Sequence, residues 1–318
     1  MRRREFLQLS VIAAVGVFPQ TSGAQIPLGR APKELRIGYQ KNGVLVIARQ
    51  QGMLERKLAA HGVEVKWIEF TSGPPMPEAM NVGSVDVGQV GDAPPVFAQA
   101  AGAAIVYVAG QPITNGQGIL VRQGSDIRLL ADLKGKRVGF AQGSSAHNVT
   151  LITLERAGLT YRDIVPVYLS PPDAAAAFVR GGIDAWAIWD PYFAIGEKHG
   201  GQILVEASQI AKTNSFYIGN RVFAGRYPDV LREVVDSLAQ TAIWAEANRD
   251  KVAKSLAVVT GVDLEIETIA AGRSSFAIGK ITEDIIATQQ AVADRFYRLG
   301  LIPKPVVIRD AVWAGAQS

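Results

Sequence analysis

Residues Gly139–Asn148, GFAQGSSAHN, bring two serines and one of three histidines into a glycine-flanked turn. Two chemistries fit those residue types. In the first, Ser144 or Ser145 is a nucleophile and His147 its base. In the second, Ser144, Ser145, Asn148 and the amides of a starting helix are hydrogen-bond donors for an anion. The first lacks parts. The order Gly143-Ser144-Ser145-Ala146-His147 is not the G-x-S-x-G nucleophile elbow. Partners in a catalytic triad come from separate loops, and no third group is in sight to orient His147. Gly135-Lys136-Arg137 lacks the Ser or Thr and the upstream glycine of a phosphate loop. Three scattered histidines and no cysteine give no zinc pattern. The sequence therefore predicts no catalytic residue, no metal and no cofactor.

The turn belongs to a frame that occurs twice. LRIGYQKNG, from Leu35, opens the first half, and KRVGFAQGSSAHN, from Lys136, opens the second. Each is a short strand pattern running into a polar turn and a helix. NVGSVDVGQVGDAPP, from Asn81, has its counterpart in VRGGIDAWAIWDPY, from Val179: Gly83, Asp86 and Asp92 are spaced like Gly181, Asp184 and Asp190. Between these pieces lie VEVKWIEFTSGPP and DIVPVYLSPPD, each a strand ending in a proline-rich turn. A period of roughly a hundred residues means duplicated domains rather than a solenoid. Strands alternating with helices predict parallel sheets with helices on their faces. The C-terminal part reads as helical. One helix from Pro228 carries Leu231, Val234, Val235, Leu238, Ala242 and Ala245 on one face. Another, stopped by Gly300, carries Ile285, Ile286, Gln289, Val292, Phe296 and Leu299.

The expected organisation is two lobes with a hinge and a ligand cleft between them. Lobe 1 takes residues 33–118 plus 220–303, lobe 2 residues 119–219, and 304–318 form a C-terminal tail. The turns after parallel strands share one edge, where helix N-termini point. Those turns carry Gln40, Lys41 and Asn42; Ser72 and Gly73; Gly91, Asp92 and Ala93; Gln111; Ser144, Ser145, His147 and Asn148; Ser170; Trp189, Asp190 and Tyr192. Lys41 is the one fixed positive charge among them. Neutral donors with aromatics suit a small monoanion that has an apolar part, with Trp189, Tyr192 or Phe193 covering that part. Asp92 and Asp190 stand just before prolines and read first as helix N-caps, with ligand contact the alternative. Asp86 and Asp184 read as turn residues at strand starts.

The first 24 residues carry Arg3-Arg4, an apolar run from Leu9 to Phe18 and small residues at Ser22-Gly23-Ala24. That is the order of a twin-arginine signal peptide cut after Ala24. The run is too short to span a bilayer, which takes about 20 residues. Without the signal, 30 basic residues face 28 acidic ones, no footprint for nucleic acid. With no cysteine, neither disulfides nor lipid attachment through one is available. A monomer free in the periplasm, without stable membrane insertion, is the expected state.

Taken together, LRIGYQKNG, WIEFTSGPP, EAMNVGSVDVGQVGDAPPVFAQAAGA, ADLKGKRVGFAQGSSAHN and PPDAAAAFVRGGIDAWAIWDPY closely resemble the aliphatic sulfonate-binding proteins of ABC importers, within the wider nitrate, sulfonate and taurine group. The resemblance runs from Glu34 to about Pro303. It implies an α/β, type II periplasmic binding protein fold with two Rossmann-like lobes. It implies as partners an inner-membrane permease and a cytoplasmic ATPase, importing sulfonates as a sulfur source. It also implies ligand contact by Gln40, Ser72, Gly73, Gly91, Asp92, Ala93, Ser144, Ser145, His147, Asn148, Trp189 and Asp190, to which Gln111 is added from its strand end. Asn42-Gly43 departs from many relatives, which leaves the tail specificity open. Taurine, nitrate or a pyrimidine thiamin precursor are alternative ligands. An enzyme on the same fold is a further alternative, but it needs a cysteine cluster that this chain lacks. A sulfonate keeps three acceptor oxygens and one charge at physiological pH and never donates, so its site needs donors alone.

Overall fold

The computed structural model describes residues 29–113 and 115–316, so the signal read at residues 1–24 lies outside them. In chain order the elements of the first half are β1 (Glu34–Tyr39), α1 (Gly43–Gln51), α2 (Met53–Ala59), β2 (Glu64–Glu69), α3 (Pro75–Asn81), β3 (Val87–Val90), α4 (Ala93–Ala100) and β4 (Ile105–Ile113). The middle holds β5 (Gln117–Arg122), β6 (Arg137–Phe140), α5 (Ser145–Arg156), β7 (Val165–Tyr168), α6 (Pro171–Val179), β8 (Ala185–Trp189), α7 (Tyr192–Lys198), β9 (Gly201–Glu206) and α8 (Ala207–Ile210). Then come β10 (Thr213–Asn220), α9 (Arg221–Arg226), α10 (Pro228–Ala247), α11 (Arg249–Thr260), α12 (Leu264–Arg273) and α13 (Glu283–Arg298).

The strands form two five-stranded sheets of matching design, β2-β1-β3-β10-β4 and β7-β6-β8-β5-β9. In each, the second strand (β1 or β6) is parallel to both neighbours. The fourth strand, β10 or β5, runs antiparallel to both of its own. Each fourth strand arrives directly after the chain has crossed from the other lobe. β10 therefore belongs to the first sheet, and residues 213–219 lie in lobe 1 rather than in lobe 2 as the sequence reading had them. No glycine or proline punctuates the crossing at 211–213, whereas Gly219 inside the strand looked like a hinge. The C-terminal segment is no loose tail either. Trp313 N–H donates to the Tyr107 carbonyl at 3.0 Å, Ile281 N–H to the Ala316 carbonyl at 3.1 Å, and Ile308, Ala311 and Ala316 are buried.

The duplicated Arg, Gly and Asp have one physical meaning in both lobes. Arg36 at the start of β1 donates its backbone N–H to Asp86 Oδ2 at 2.8 Å and its Nη2 to Oδ1 at 2.9 Å, and it also bonds the Gly83 carbonyl. Arg137 at the start of β6 does the same with Asp184, at 2.8 and 2.7 Å, and with the Gly181 carbonyl at 2.8 Å. The bidentate pair ties the first strand to the third at the end away from the cleft. Gly83 and Gly181 sit at φ 73° and 74°, left-handed turns that a side chain strains.

Apolar clusters fill both faces of each sheet. α1, α10 and α11 cover one face of the first, and α3, α4 and α13 the other. The second sheet has α5 on one face and α6 and α7 on the other. The predicted face of α10 is buried, apart from a half-buried Val235. In α13, Ile286, Gln289, Val292 and Phe296 are buried while Leu299 is 38% exposed. α5 is unusual: every residue from Ser145 to Leu154 is buried. Ala146, Val149 and Ile152 pack in its own lobe, but Leu151 packs in the core of the other. A helix buried on all sides must be covered on all sides, polar residues included, and α5 lies between the lobes.

Candidate functional site

A cavity of about 130 Å³ opens between the lobes. That is room for several waters. Turns of both sheets meet there. Gln40, Asn42 and Gly43 come from the β1–α1 turn; Gly73 precedes α3; Val90, Gly91 and Pro94 come from the β3–α4 turn. Lobe 2 supplies Ser144 and Ser145 at the start of α5, and Trp189 and Asp190 after β8. Among the described residues of its wall there is no lysine or arginine. Lys41 pairs instead with Glu69 at 3.3 Å on the surface.

Two helix N-termini face this space. Ser144 is extended (φ −88°, ψ 172°) and starts α5, while Asn42 (φ −154°, ψ 169°) starts α1. Of the first amides of α5, His147 and Asn148 are spent on the Ser144 carbonyl, at 3.0 and 3.3 Å. The amides of Ser145 and Ala146 precede the first intrahelical acceptor and are the helix's free donors. The Ser144 hydroxyl donates to the Ala141 carbonyl at 2.7 Å, holding the turn. The Ser145 side chain lies against Gly91 of the opposite lobe, where a Cβ would stand 2.8 Å from that of Ser145. Glycine at 91 is what lets the lobes approach this closely. α4 begins Ala93-Pro94-Pro95, so its N-terminus offers fewer N–H groups than that of α5.

Among the thirteen residues anticipated, Gln40, Gly73, Gly91, Gln111, Ser144, Ser145, Trp189 and Asp190 line the cavity. Ser72, Asp92, Ala93, His147 and Asn148 stand behind it. His147 sits among aromatic rings: Phe140 stacks on it at 4.8 Å, Tyr161 lies at 5.5 Å, and from lobe 1 come Phe296 at 5.1 Å and Phe97 at 6.5 Å. Its Nδ1 accepts from the Gly143 N–H at 3.2 Å, not from a serine hydroxyl. Burial pushes its pKa down to about 4, so the ring is neutral at physiological pH. Asp92 has no side-chain hydrogen bond capping α4; its Oδ2 accepts from Asn148 Nδ2 at 2.6 Å. Asp190 does cap, its Oδ1 accepting from the Ala194 N–H of α7 at 3.0 Å, with Arg273 at 3.8 Å. Burial raises both carboxyl groups to about 7. Asp190 also closes the hinge turn: its N–H donates to the Gly116 carbonyl at 2.8 Å, and Gly116 (φ 77°) leaves no space for a Cβ beside its carboxyl group.

Several lining residues escaped the sequence reading. Gln89 Nε2 donates to Gln111 Oε1 at 2.8 Å, and Gln111 Nε2 in turn bonds the Ser275 carbonyl. Gln117 is buried with its Nε2 unpartnered. Ser274, Ser275 and Phe276 reach the cavity from the loop after α12. Gln89 sits mid-strand, where an inward amide looks like any polar residue. The Ser274-Ser275-Phe276 loop lies in a region that read only as helix. Phe276 and Trp189 give the wall its aromatic part, while Tyr192 and Phe193 do not line it.

Residues 29–259 match the family described as NMT1-like. A protein of Escherichia coli (strain K12) named for binding aliphatic sulfonates is 40% identical over 291 residues, 90% of this chain and 91% of its own. One so named from Bacillus subtilis (strain 168) is 32% identical over 284 residues, 88% and 86% of the two chains. Among solved structures, the alkanesulfonate-binding protein SsuA from Xanthomonas axonopodis pv. citri, bound to MOPS, matches with a TM-score of 0.85 at 40% identity. That match covers 89% of this chain and 99% of the other.

Proposed function

The chain belongs to the NMT1-like family, and on that premise we propose that it is the substrate-binding component of an ABC importer for aliphatic sulfonates, taken up as a sulfur source. The observation that carries this reading is a wall of amides, hydroxyls and free helix N–H groups, without a basic side chain among its described residues, at the meeting of two lobes. A sulfonate needs donors on three oxygens and no acceptor, and the dipoles of α1 and α5 favour its charge. Trp189 and Phe276 would flank a short aliphatic tail. The protein would work as a periplasmic monomer, exported by the twin-arginine route, and hand its ligand to a membrane permease driven by a cytoplasmic ATPase. Binding rather than turnover fits His147, which sits in a ring cage with no hydrogen bond to either serine hydroxyl.

The test is a thermal-shift panel on the mature protein with alkanesulfonates, taurine, sulfate, nitrate and pyrimidine thiamin precursors. A ligand at about 100 times its Kd adds about 2.7 kcal/mol, a rise of several degrees for a chain of this size. Short alkanesulfonates should give that shift and survive the titration unconsumed. A shift with another class alone, or consumption of ligand, would replace this reading.

A further inference from the structure

α5 performs two tasks at once. Its first turn lines the cavity, and the residues just beyond hold the other lobe. Asn148 Nδ2 donates to Asp92 Oδ2 at 2.6 Å, and Arg295 Nη1 of α13 donates to Asn148 Oδ1 at 3.1 Å. The Asn148 amide is thus aligned by a carboxyl group on its nitrogen side and a guanidinium on its oxygen side. Arg295 Nε continues to Glu155 Oε2 at 3.0 Å, and Arg298 meets Glu155 Oε1 at 2.7 Å. Gln289 Nε2 pins the Asp92 carbonyl at 2.6 Å. Asp92, Asn148 and Gln289 are 1%, 0% and 1% exposed, and neither Asp92 nor Asn148 lines the cavity. Both polar ends of Asn148 are engaged by lobe 1.

We propose that Asn148 is a positioning residue: a cross-lobe clasp between Asp92 and Arg295 that makes lobe closure and placement of the α5 donors a single event. The clasp rests on the sulfonate reading only for the ligand used to measure it. The mechanism is geometric. Asn148 and Ser145 are three residues apart, on neighbouring positions of one helix face. A shift of α5 that breaks the clasp therefore moves the donors away from Gly91.

Reversing the pair tests this. In N148D two carboxyl groups meet at the clasp, with Arg295 from α13 their nearest cation, Glu155 behind it, and Tyr107 of β4 and the neutral His147 nearby. Above neutrality the carboxylates repel; in acid one shared proton bridges them. In D92N/N148D the amide and carboxyl group trade places, so the amide now on α4 donates to the carboxylate now on α5, which also faces Arg295. The chain has no cysteine, so V82C and V179C, at residues 75% and 66% exposed on opposite lobes, take spin labels cleanly.

Butanesulfonate affinity and off-rate, inter-label distance and Tm are measured at pH 5.5 and 8. N148D should bind at least about tenfold more weakly at pH 8 through a faster off-rate, a loss expected of a charge pair left mismatched. It should recover most of that at pH 5.5. The double variant should bind within a few fold of the parent at both pH values. A helix that merely stabilised the fold would move Tm without this pH dependence or this rescue. Parent-like binding by N148D at pH 8, or a double variant no tighter than N148D, overturns the clasp. Should N148D fail to fold, R295M cuts the other end: weaker binding at parent Tm supports the clasp, and unchanged binding overturns it. If the parent itself binds no sulfonate, the sulfonate reading fails alone. The ligand-free label distances then decide: longer in N148D and restored in the double variant supports the clasp, equal in all three overturns it.

Discussion

The two lobes share a frame and differ at the site. Arg36–Asp86 and Arg137–Asp184 are the same latch at the same place in matching sheets, down to the carbonyl of the turn glycine. At the opposite edge the correspondence ends. Asp92 reaches across to α5, while its partner in the repeat, Asp190, caps its own helix and closes the hinge turn. The start of α1 offers Asn42-Gly43 where the start of α5 offers Ser144-Ser145. Duplication keeps what holds a lobe together, and the turns that line the cleft are free to diverge.

The largest effect should come from breaking that shared frame. Asp86→Ala removes a carboxylate that is only 4% exposed and accepts from both the backbone and side chain of Arg36. A loss of about 3 kcal/mol is expected in denaturant unfolding, from several charged hydrogen bonds at once. Asp184 is more open to solvent, its side chain 23% exposed, so Asp184→Ala should cost less. Equal losses would mean burial does not set the difference between lobes.

Next is the site. Ser145→Ala should weaken a short alkanesulfonate about tenfold by calorimetry and leave the fold intact, since a hydrogen bond to a charged group contributes about 1.5–3 kcal/mol. Asn42→Ala should cost less, its amide already directed at the Asp190 carbonyl at 3.4 Å. The reverse order would put the main donors on lobe 1.

A smaller effect appears in pH dependence. Asp190, raised to about 7, keeps its proton in the folded chain over a range where the unfolded chain has lost it, so it lowers stability as pH rises from about 4 to 7. Asp92 acts in the same direction. His147, lowered to about 4, acts oppositely, adding stability as pH rises from about 4 to 6.5. Asp190→Asn deletes one falling contribution, so the slope of stability against pH should turn upward in that window by at most about 1.4 kcal/mol per unit. An unchanged slope would mean that Asp190 is ionised beside Arg273.

The smallest effect tests the outer surface. Ile243→Ala and Val258→Ala, at 72% and 84% exposure, should each change stability by less than about 0.5 kcal/mol.

Much of this was legible in sequence because it is periodic or repeated. The spacing Gly83, Asp86, Asp92 against Gly181, Asp184, Asp190 announced two like lobes, and the turns after the strands named Gln40, Gly91 and Ser145. What the spacing could not carry was direction. Asn148 and Ser145 share a helix face, yet one turns to lobe 1 and the other to the cavity. His147 was placed with the ligand contacts by its motif; the rings that bury it come from residues 97 and 296 as well as from its own lobe. The membership of β10 was hidden because an apolar run is the same string whichever sheet receives it.

That strand has a consequence for how the chain acquires its shape. β4 has β10 as its sheet neighbour, and β10 also separates it from β3. Until residue 213 has been made, β3 and β4 present bare edges, the kind of surface that templates aggregation. The second sheet waits less: β5 stays unpaired only until β8 and β9 follow within the same stretch of chain, whereas β4 waits for a strand beyond the whole second lobe, and smaller sequence separation favours earlier formation. Sequence separation thus favours completion of the second sheet before the first, with the N-terminal half held open by the portion of the chain still to come. A chain stopped before residue 213 would contain a whole second lobe beside a first sheet split down its middle.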